Sequence, residues 1–408
     1  MLAKHRVLFS LIIAFFIFAL ATVAIFWARG FKPDFKNGKI ERTGLIVASS
    51  VPTAAQVYLD DRLTSATDTN IAFLEPKTYK VRIQKDGYTI WEKEIEVKAD
   101  LATEIKALLF PQAPEIKPLT TTGAFNPSLS PEGTKIVYGV SSERGGLYLL
   151  SMPDRPFPFR QDTRLLVKNL PAGRQAQTSF DFSKSKFIWS PDSKQVIAQF
   201  ETDDGKPLAN LLVDTEKTDQ EPNDITASLT ATINSWQEQI NSHTQTLAVT
   251  VPDEIKSATA EAEPNSSQLT ADSSQKKQSV SREPTTTNLL NYFPTGLIFS
   301  PDEEKILYKN KGGQYKVYDL KNKKEYLLPE FKDLVTLSWY PDSNHLVVAQ
   351  KDLIFIIEAD GTNKMTVFSG KFEDGFVFAH PAGNRLIILT ALTQTEGTPA
   401  NLYSINLR

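Results

Sequence analysis

The chain has 408 residues, with 45 Lys and Arg, 48 Asp and Glu, 4 His and no Cys. That length accommodates two or three domains of roughly 100–200 residues each, and a 41% hydrophobic content excludes wholesale disorder. A net charge of −3 argues against a nucleic-acid grip, which needs a basic face. The absence of Cys excludes disulfides, thiol nucleophiles, iron–sulfur clusters and Cys-ligated zinc.

Residues 1–6 form a short tail carrying Lys4, His5 and Arg6. Val7–Ala28 then runs 22 residues without a charge, enough at ~1.5 Å per residue to cross a ~30 Å hydrocarbon core. Trp27 closes the run where an amphipathic ring prefers the interface, and Arg29 follows. The pattern predicts an uncleaved transmembrane anchor over 7–28. The alternative is a cleaved signal peptide, with Ala19-Leu20-Ala21 as the processing site, although the apolar run continues through Val23, Ile25, Phe26 and Trp27. Arg29, Lys32, Lys36, Lys39 and Arg42 outnumber Lys4 and Arg6. Counted by the positive-inside rule, these charges hold the following domain in the cytoplasm. Long domains translocate largely regardless of such charge, however. The expectation is a single-pass protein of the cell membrane with the bulk of the chain extracytoplasmic.

A polar tether, 29–43, with Pro33, Asn37 and Gly38 leads into short alternating runs. Val57 and Leu59 alternate with polar neighbours, as do Tyr79, Val81 and Ile83, and then Ile95 and Val97. Period two with one polar face predicts half-buried antiparallel strands, and turns are signalled at Asp60-Asp61, Glu75-Pro76 and Asp86-Gly87. Residues 44–110 therefore read as a small β sandwich. Gly44-Leu45-Ile46-Val47, then Ser50-Val51-Pro52-Thr53-Ala54-Ala55-Gln56-Val57-Tyr58-Leu59-Asp60, with Tyr79-Lys80-Val81-Arg82-Ile83 and Asp86-Gly87-Tyr88-Thr89-Ile90-Trp91, resemble a PEGA domain. The resemblance implies a surface-associated β module with no catalytic residues. Ala54 stands where that family prefers Gly, which puts the shape of the turn in question.

From 111 to 408 the chain is a repeat array. Prolines 131, 191, 301, 341 and 381 each follow an apolar strand and precede a returning one: Lys135–Gly139, Gln195–Phe200, Lys305–Lys309, His345–Gln350 and Arg385–Thr390. The intervals are 60, 110, 40 and 40 residues, and a ~40–45 residue period of short strands is the mark of a propeller. Proline fixes φ in each hairpin turn and Asp caps it. The Ser-Pro-Asp hairpins at Pro191 and Pro301 resemble TolB-like propeller repeats. At Pro381 Ala382 replaces the Asp. The resulting fold class is all-β: a PEGA-like sandwich and a propeller of about five blades, or six if the segments flanking 114–122 and the C-terminus complete another. Such a pair behind one anchor resembles membrane-anchored bacterial envelope proteins.

Residues 218–292 interrupt the array as a helical and disordered insert. Ile225, Leu229, Ile233, Trp236 and Ile240 recur at helical spacing after Pro222-Asn223-Asp224, read as a helix start, and a second helix starts near Pro252-Asp253-Glu254-Ile255. Ala260–Thr287 reads as disordered, and the insert as dispensable for folding. The Leu229–Trp236 face either packs on the propeller or is exposed as a partner site, and these two residues are the candidate interaction residues.

No GxSxG elbow, phosphate loop, GxGxxG or HExxH motif occurs. His345 falls in the column of Lys135, Gln195, Lys305 and Arg385, read as solvent-facing, and His380 in the turn column of Ser130, Ser190, Ser300 and Tyr340. No His pair has metal spacing. Asp203-Asp204, Asp302-Glu303-Glu304 and Asp360-Gly361-Thr362-Asn363 read as turn residues rather than a catalytic pair or calcium loop. Trp189, Phe299 and Trp339 share a column that suits packing between blades. No catalytic, cofactor or metal residue is expected. The reading is a non-enzymatic binding or scaffolding protein that meets the membrane through Val7–Ala28 and a protein partner or cell-wall polymer through its β surfaces. The alternatives are a cell-wall or carbohydrate binder and, less favoured, a hydrolase.

Overall fold

The computed structural model of the chain describes residues 2–28, 31–34, 39–141, 145–152, 163–169, 180–202, 204–258, 296–373, 375–392 and 398–408. They form two compact units, Met1–Ala113 and Pro114–Arg408.

In the first unit, Leu2–Ala28 is one 27-residue helix, α1. Its described side chains are Phe9 and the run from Leu11 to Ile25. Among the described residues no helix is long and apolar enough to cross a membrane. The described run alone rises ~22 Å, short of a ~30 Å core, and the ends of the expected span Val7–Ala28 lie outside the described side chains. Strands β1 (Phe31–Asp34) and β2 (Lys39–Arg42) pair as a hairpin within the segment expected to be a tether.

Seven strands then build a sandwich: β3 (Gly44–Val51), β4 (Gln56–Leu59), β5 (Arg62–Ala66), β6 (Thr69–Leu74), β7 (Thr78–Gln84), β8 (Trp91–Glu96) and β9 (Ala102–Leu108). Their sheets run β6-β3-β9 and β5-β4-β7-β8. The alternating side chains Ile46, Ala48, Val57, Val81, Ile83, Trp91, Ile105 and Leu109 are buried between them. One pairing departs from the antiparallel expectation: β3 and β9 are parallel, from Leu45 opposite Ala102 to Val51 opposite Leu108. Parallel neighbours require a long crossover, here the whole of β4–β8, which local alternation does not reveal. Ala54 has φ +57°, the left-handed conformation that glycine adopts without penalty. The turn thus keeps the glycine-type backbone despite its side chain.

The second unit contains five four-stranded antiparallel sheets among the described residues. Blade 5 takes its outer strand from the start of the unit, β10 (Ile116–Pro118), which pairs with the last strand of the chain. Blade 1 is β11 (Phe125–Leu129), β12 (Lys135–Val140), β13 (Gly146–Ser151) and β14 (Thr163–Lys168). Blade 2 is β15 (Lys186–Trp189), β16 (Gln195–Glu201), β17 (Pro207–Asp214) and β18 (Asn223–Asp224). Next come helices α2 (Leu229–Thr250) and α3 (Asp253–Ala258). Blade 3 is β19 (Leu297–Phe299), β20 (Lys305–Lys309), β21 (Tyr315–Asp319) and β22 (Lys324–Leu327). Blade 4 is β23 (Leu334–Trp339), β24 (His345–Gln350), β25 (Leu353–Glu358) and β26 (Met365–Ser369). Blade 5 ends with β27 (Val377–Ala379), β28 (Arg385–Thr390) and β29 (Asn401–Asn406), in the order β10-β29-β28-β27. The segment near Pro114–Thr122 therefore completes blade 5 instead of starting a sixth.

The insert differs from its sequence reading in two respects. Asn223 and Asp224, read as a helix start, pair with Leu212 and Leu211 as the outer strand of blade 2. The helix begins later, at Leu229, behind a short 3-10 turn over Thr226–Ser228. The helical part packs against two blades. Trp236 and Ile240 are buried with Ile188 and Ile197 of blade 2, while Leu247, Val251 and Ile255 are buried with Leu297, Phe299, Ile306 and Tyr308 of blade 3. Ala260–Thr287 lies outside the described residues.

Two measurements check these placements. Trp236, 6% exposed, should on substitution to Ala destabilise the second unit by about 3–5 kcal/mol in chemical unfolding, the range for a buried large aromatic. Ala54→Gly should stabilise the sandwich by up to about 1 kcal/mol, relief of left-handed strain exceeding the added freedom of the unfolded chain.

Candidate functional site

The polar residues that stood out in the repeat gather at the hairpin turns. In blade 2, Ser190 Oγ donates to Asp192 Oδ1 at 2.7 Å and accepts the Gln195 N–H at 2.9 Å, while Asp192 Oδ1 also accepts the Lys194 N–H at 3.1 Å. Blade 3 repeats the set with Ser300, Asp302, Glu304 and Lys305 at 2.6, 3.1 and 2.9 Å. Each turn places its second residue after the proline at positive φ: Gly133, Ser193, Glu303, Ser343 and Gly383. Serine oxygen and aspartate thus satisfy amides that the tight turn leaves without ladder partners. Burial raises the Asp192 and Asp302 carboxyls, but their serine and backbone donors outweigh it, and both lie below the ordinary carboxylate value.

The same turns fasten neighbouring blades. Glu132 N–H donates to Ser193 Oγ (3.3 Å) and Lys135 Nζ reaches Ser193 O (2.8 Å), joining blade 1 to blade 2. Trp189 Nε1 returns a bond to Ser128 O at 3.2 Å. Blades 3 and 4 copy the arrangement: Asp302 N–H to Ser343 Oγ (3.1 Å), Lys305 Nζ to Asn344 Oδ1 (3.1 Å), Trp339 Nε1 to Ile298 O (3.0 Å). The tryptophan column is a packing column, and its two indoles are also inter-blade donors.

The seam from blade 4 to blade 5 is different. Tyr340 takes the serine position and its hydroxyl donates to Gly383 O. His345, expected to face solvent, is 3% exposed, with Nδ1 2.7 Å from Asp342 Oδ2. Its column points along the seam between blades, as Lys135 and Lys305 show, so a short side chain there is enclosed. Burial raises the Asp342 carboxyl and the His345 bond and charge more than offset it, leaving it lowered, whereas burial pushes the Tyr340 hydroxyl up. His380 is buried in its turn, Nδ1 accepting the Ala382 N–H at 3.1 Å and Nε2 lying 3.5 Å from Arg385. His243 on α2 lies 3.6 Å from Glu303, and His5 lies outside the described side chains.

Leu229 and Trp236 do not form an exposed patch. Both pack in the cluster between α2 and blade 2, because their spacing puts them on the helix face that the sheet covers. Asp360 Oδ1 accepts from Thr362 N and Oγ1 at 3.1 and 2.6 Å, the pattern of an Asx turn. Asp203 lies outside the described residues. Among the described residues no three His, Asp or Glu gather to hold a metal ion.

A surface that the sequence reading passed over lies on the outer face of the β5-β4-β7-β8 sheet. Gln56 sits opposite Gln84 and Tyr58 opposite Arg82. Gln84 Nε2 donates to Gln56 Oε1 and Tyr58 OH at 3.3 and 3.2 Å, and the Arg82 guanidinium lies 4.6 Å over the Tyr58 ring. Lys80 pairs with Glu92 at 2.9 Å. Amides, a phenol and a guanidinium on one sheet face can exchange hydrogen bonds with polar ligands. The alternation that predicted the buried face of β4 and β7 also specified this one.

Residues 43–112 match the PEGA domain family. No curated protein matches the chain. Among solved structures, a putative TolB from Agrobacterium tumefaciens is 13% identical over 72% of this chain and 77% of its own, with a TM-score of 0.24. TolB from Acinetobacter baumannii is 13% identical over 80% and 59%, with a TM-score of 0.23. An oligogalacturonate lyase in complex with manganese is 10% identical over 81% and 83%, with a TM-score of 0.29. No function is carried across at these identities and TM-scores. The fold and this match define a class, a PEGA domain followed in the chain by a β-propeller.

The depressed carboxylates set an acid limit. Since their native values lie below the unfolded one, their stabilisation is complete above ~3.9 and is lost as pH falls through the native values. Stability measured by denaturant midpoint should fall below about pH 4, and Asp192→Asn with Asp302→Asn should flatten that limb.

Proposed function

We propose that the protein is a membrane-anchored, extracytoplasmic binding or scaffolding protein that acts through β surfaces and not through catalysis. The observation that carries this reading is α1. Phe9, Leu11, Ile12, Ile13, Phe15, Phe16, Ile17, Phe18, Leu20, Val23 and Ile25 are all exposed, at 44–73%. They follow one another around every face of the helix. A helix apolar on all sides is stable only when an apolar medium surrounds it. The uncharged stretch Val7–Ala28 within it rises ~33 Å, about the thickness of a bilayer's hydrocarbon core. Lys4 and Arg6 precede the apolar run, and the β strands follow it in the chain.

Two observations support binding over turnover. The buried His345 and His380 bond residues of their own hairpin turns, and Asp192 and Asp302 are engaged by theirs. The Gln56, Tyr58, Arg82 and Gln84 face favours the narrower reading, a cell-wall or carbohydrate binder, because amides, guanidinium and an aromatic ring suit hydroxyl-rich polymers. A protein partner remains the broader one.

The Cys-free chain makes the test direct. In membranes the full chain should resist carbonate extraction. A single Cys introduced as Thr64→Cys or Lys321→Cys should react with an impermeant maleimide before the cells are lysed. A soluble mature form starting near Thr22 would remove the anchor, and labelling only after lysis would reverse the orientation. Retention on cell-wall polymer that falls with Tyr58→Ala and Arg82→Ala would select the carbohydrate reading.

A further inference from the structure

A sandwich of two open sheets has four edge strands, here β5, β6, β8 and β9. An edge presents N–H and C=O groups with which another chain can pair, and proteins blunt such edges with bulges, charges or local twist. Three of the four are blunted. The pairing of β5 with β4 shifts register between Val57 and Tyr58. That of β6 with β3 shifts between Gly44 and Ile46, and Phe73 on β6 stands at φ +59°. On β8 the charged Lys93 takes an inward position between Trp91 and Ile95, which pack in the core, and Glu92, Glu94 and Glu96 line the other face with one sign of charge.

Strand β9 has no bulge and no inward charge. It keeps unbroken parallel register with β3 from Ala102 to Leu108. The bonds at its two ends, Leu45 N–H to Leu101 O at 3.1 Å and Leu109 N–H to Val51 O at 2.8 Å, fix its phase. Alternate residues of a parallel strand bond the neighbour. Thr103, Ile105 and Ala107 therefore bond β3, and Ala102, Glu104, Lys106 and Leu108 turn N–H and C=O away from it. Among the described residues these outward groups have no backbone partner. The Glu104 and Lys106 side chains are 61% and 71% exposed and pair with each other at 3.1 Å.

We propose that β9 is the pairing edge of a homodimer, in which β9 of a second copy lies antiparallel beside it about a two-fold axis at Ile105 and joins the two three-stranded sheets into one. The charges select this occupant. With the axis at Ile105, Glu104 of each copy stands opposite Lys106 of the other, as a self-complementary interface requires. Both residues belong to the outward set, so each gives its N–H and offers its C=O across the axis. A shift of two residues sets Glu104 against Glu104 or Lys106 against Lys106, and like charges directly opposite destabilise. A shift of one residue sets outward groups against residues already bonded to β3. One register alone satisfies both the backbone and the charges.

The experiment is disulfide cross-linking of the full chain in detergent micelles, which the absence of Cys makes specific. Opposed residues of a hydrogen-bonded antiparallel pair lie ~5.5 Å apart at Cα, within disulfide reach. Glu104→Cys chains mixed with Lys106→Cys chains should cross-link severalfold more than either chain alone, because like positions are offset by two residues along the strand. In sedimentation, Glu104→Lys and Lys106→Glu should each lower the dimer fraction, and the two reversals in one chain should restore it. A parent that stays monomeric, a dimer that survives both single reversals, or cross-linking of Glu104→Cys alone equal to that of the mixture overturns the proposal. If a charge reversal does not fold, the cross-linking ratio decides.

Discussion

A four-stranded sheet with two apolar faces cannot stand alone in water, and the second unit of this protein is built around that constraint. Each blade is covered by a neighbouring blade or by the helices. Ile136, Tyr138 and Leu150 of blade 1 are buried with Phe378, Ile387, Leu389 and Leu402 of blade 5, and the faces of blades 1 and 2, and of 3 and 4, do the same. Such a stack leaves its ends uncovered unless it closes. Closure here has two parts. Strand β10 joins β29, so that residues 116–118 and 401–406 share a sheet, and a helix bridges the long interval between blades 2 and 3 where the repeat spacing jumps.

The need to close the stack explains where the polar chemistry went. Serine, aspartate, lysine and the indole N–H groups concentrate at turns because a tight hairpin exposes amides that need partners and because successive turns lie close enough to bond across seams. At the blade 4–5 seam the same need is met with Tyr340, Asp342 and His345, which enclose a carboxylate–imidazole pair at 2.7 Å. A histidine that looks chemically available in the sequence is thereby engaged by its own turn beside that seam. What faces outward is different in kind: the amide, phenol and guanidinium ladder on the sandwich and the apolar side chains of α1.

Much of this was legible in the residues themselves. Period-two alternation located β4, β7 and β8, because a strand with one buried face must alternate whatever its partners are. The recurring proline turns located the five returning strands for a similarly local reason, since φ restriction and side-chain capping act within five residues. The spacing of Leu229, Ile233, Trp236 and Ile240 specified a helix with one apolar face. Each of these signals is carried by neighbours in sequence, so the chain alone determined the kinds of element and their order.

Long-range partners were decided only in three dimensions. Nothing near Leu45 or Ala102 says that β3 and β9 run parallel, because the crossover between them is formed by strands whose own pattern is satisfied either way. Asn223 and Asp224 have the residue types of a helix start, and became an outer strand because β17 offered them an edge. The helix face of Trp236 could have been a docking patch or a core; blade 2 covered it, while Leu247 and Val251 found blade 3. Amphipathic pattern states that a face must be buried, since apolar surface in water is unfavourable wherever it lies. Which surface buries it depends on the meeting of segments far apart in sequence, and that the tertiary structure decides.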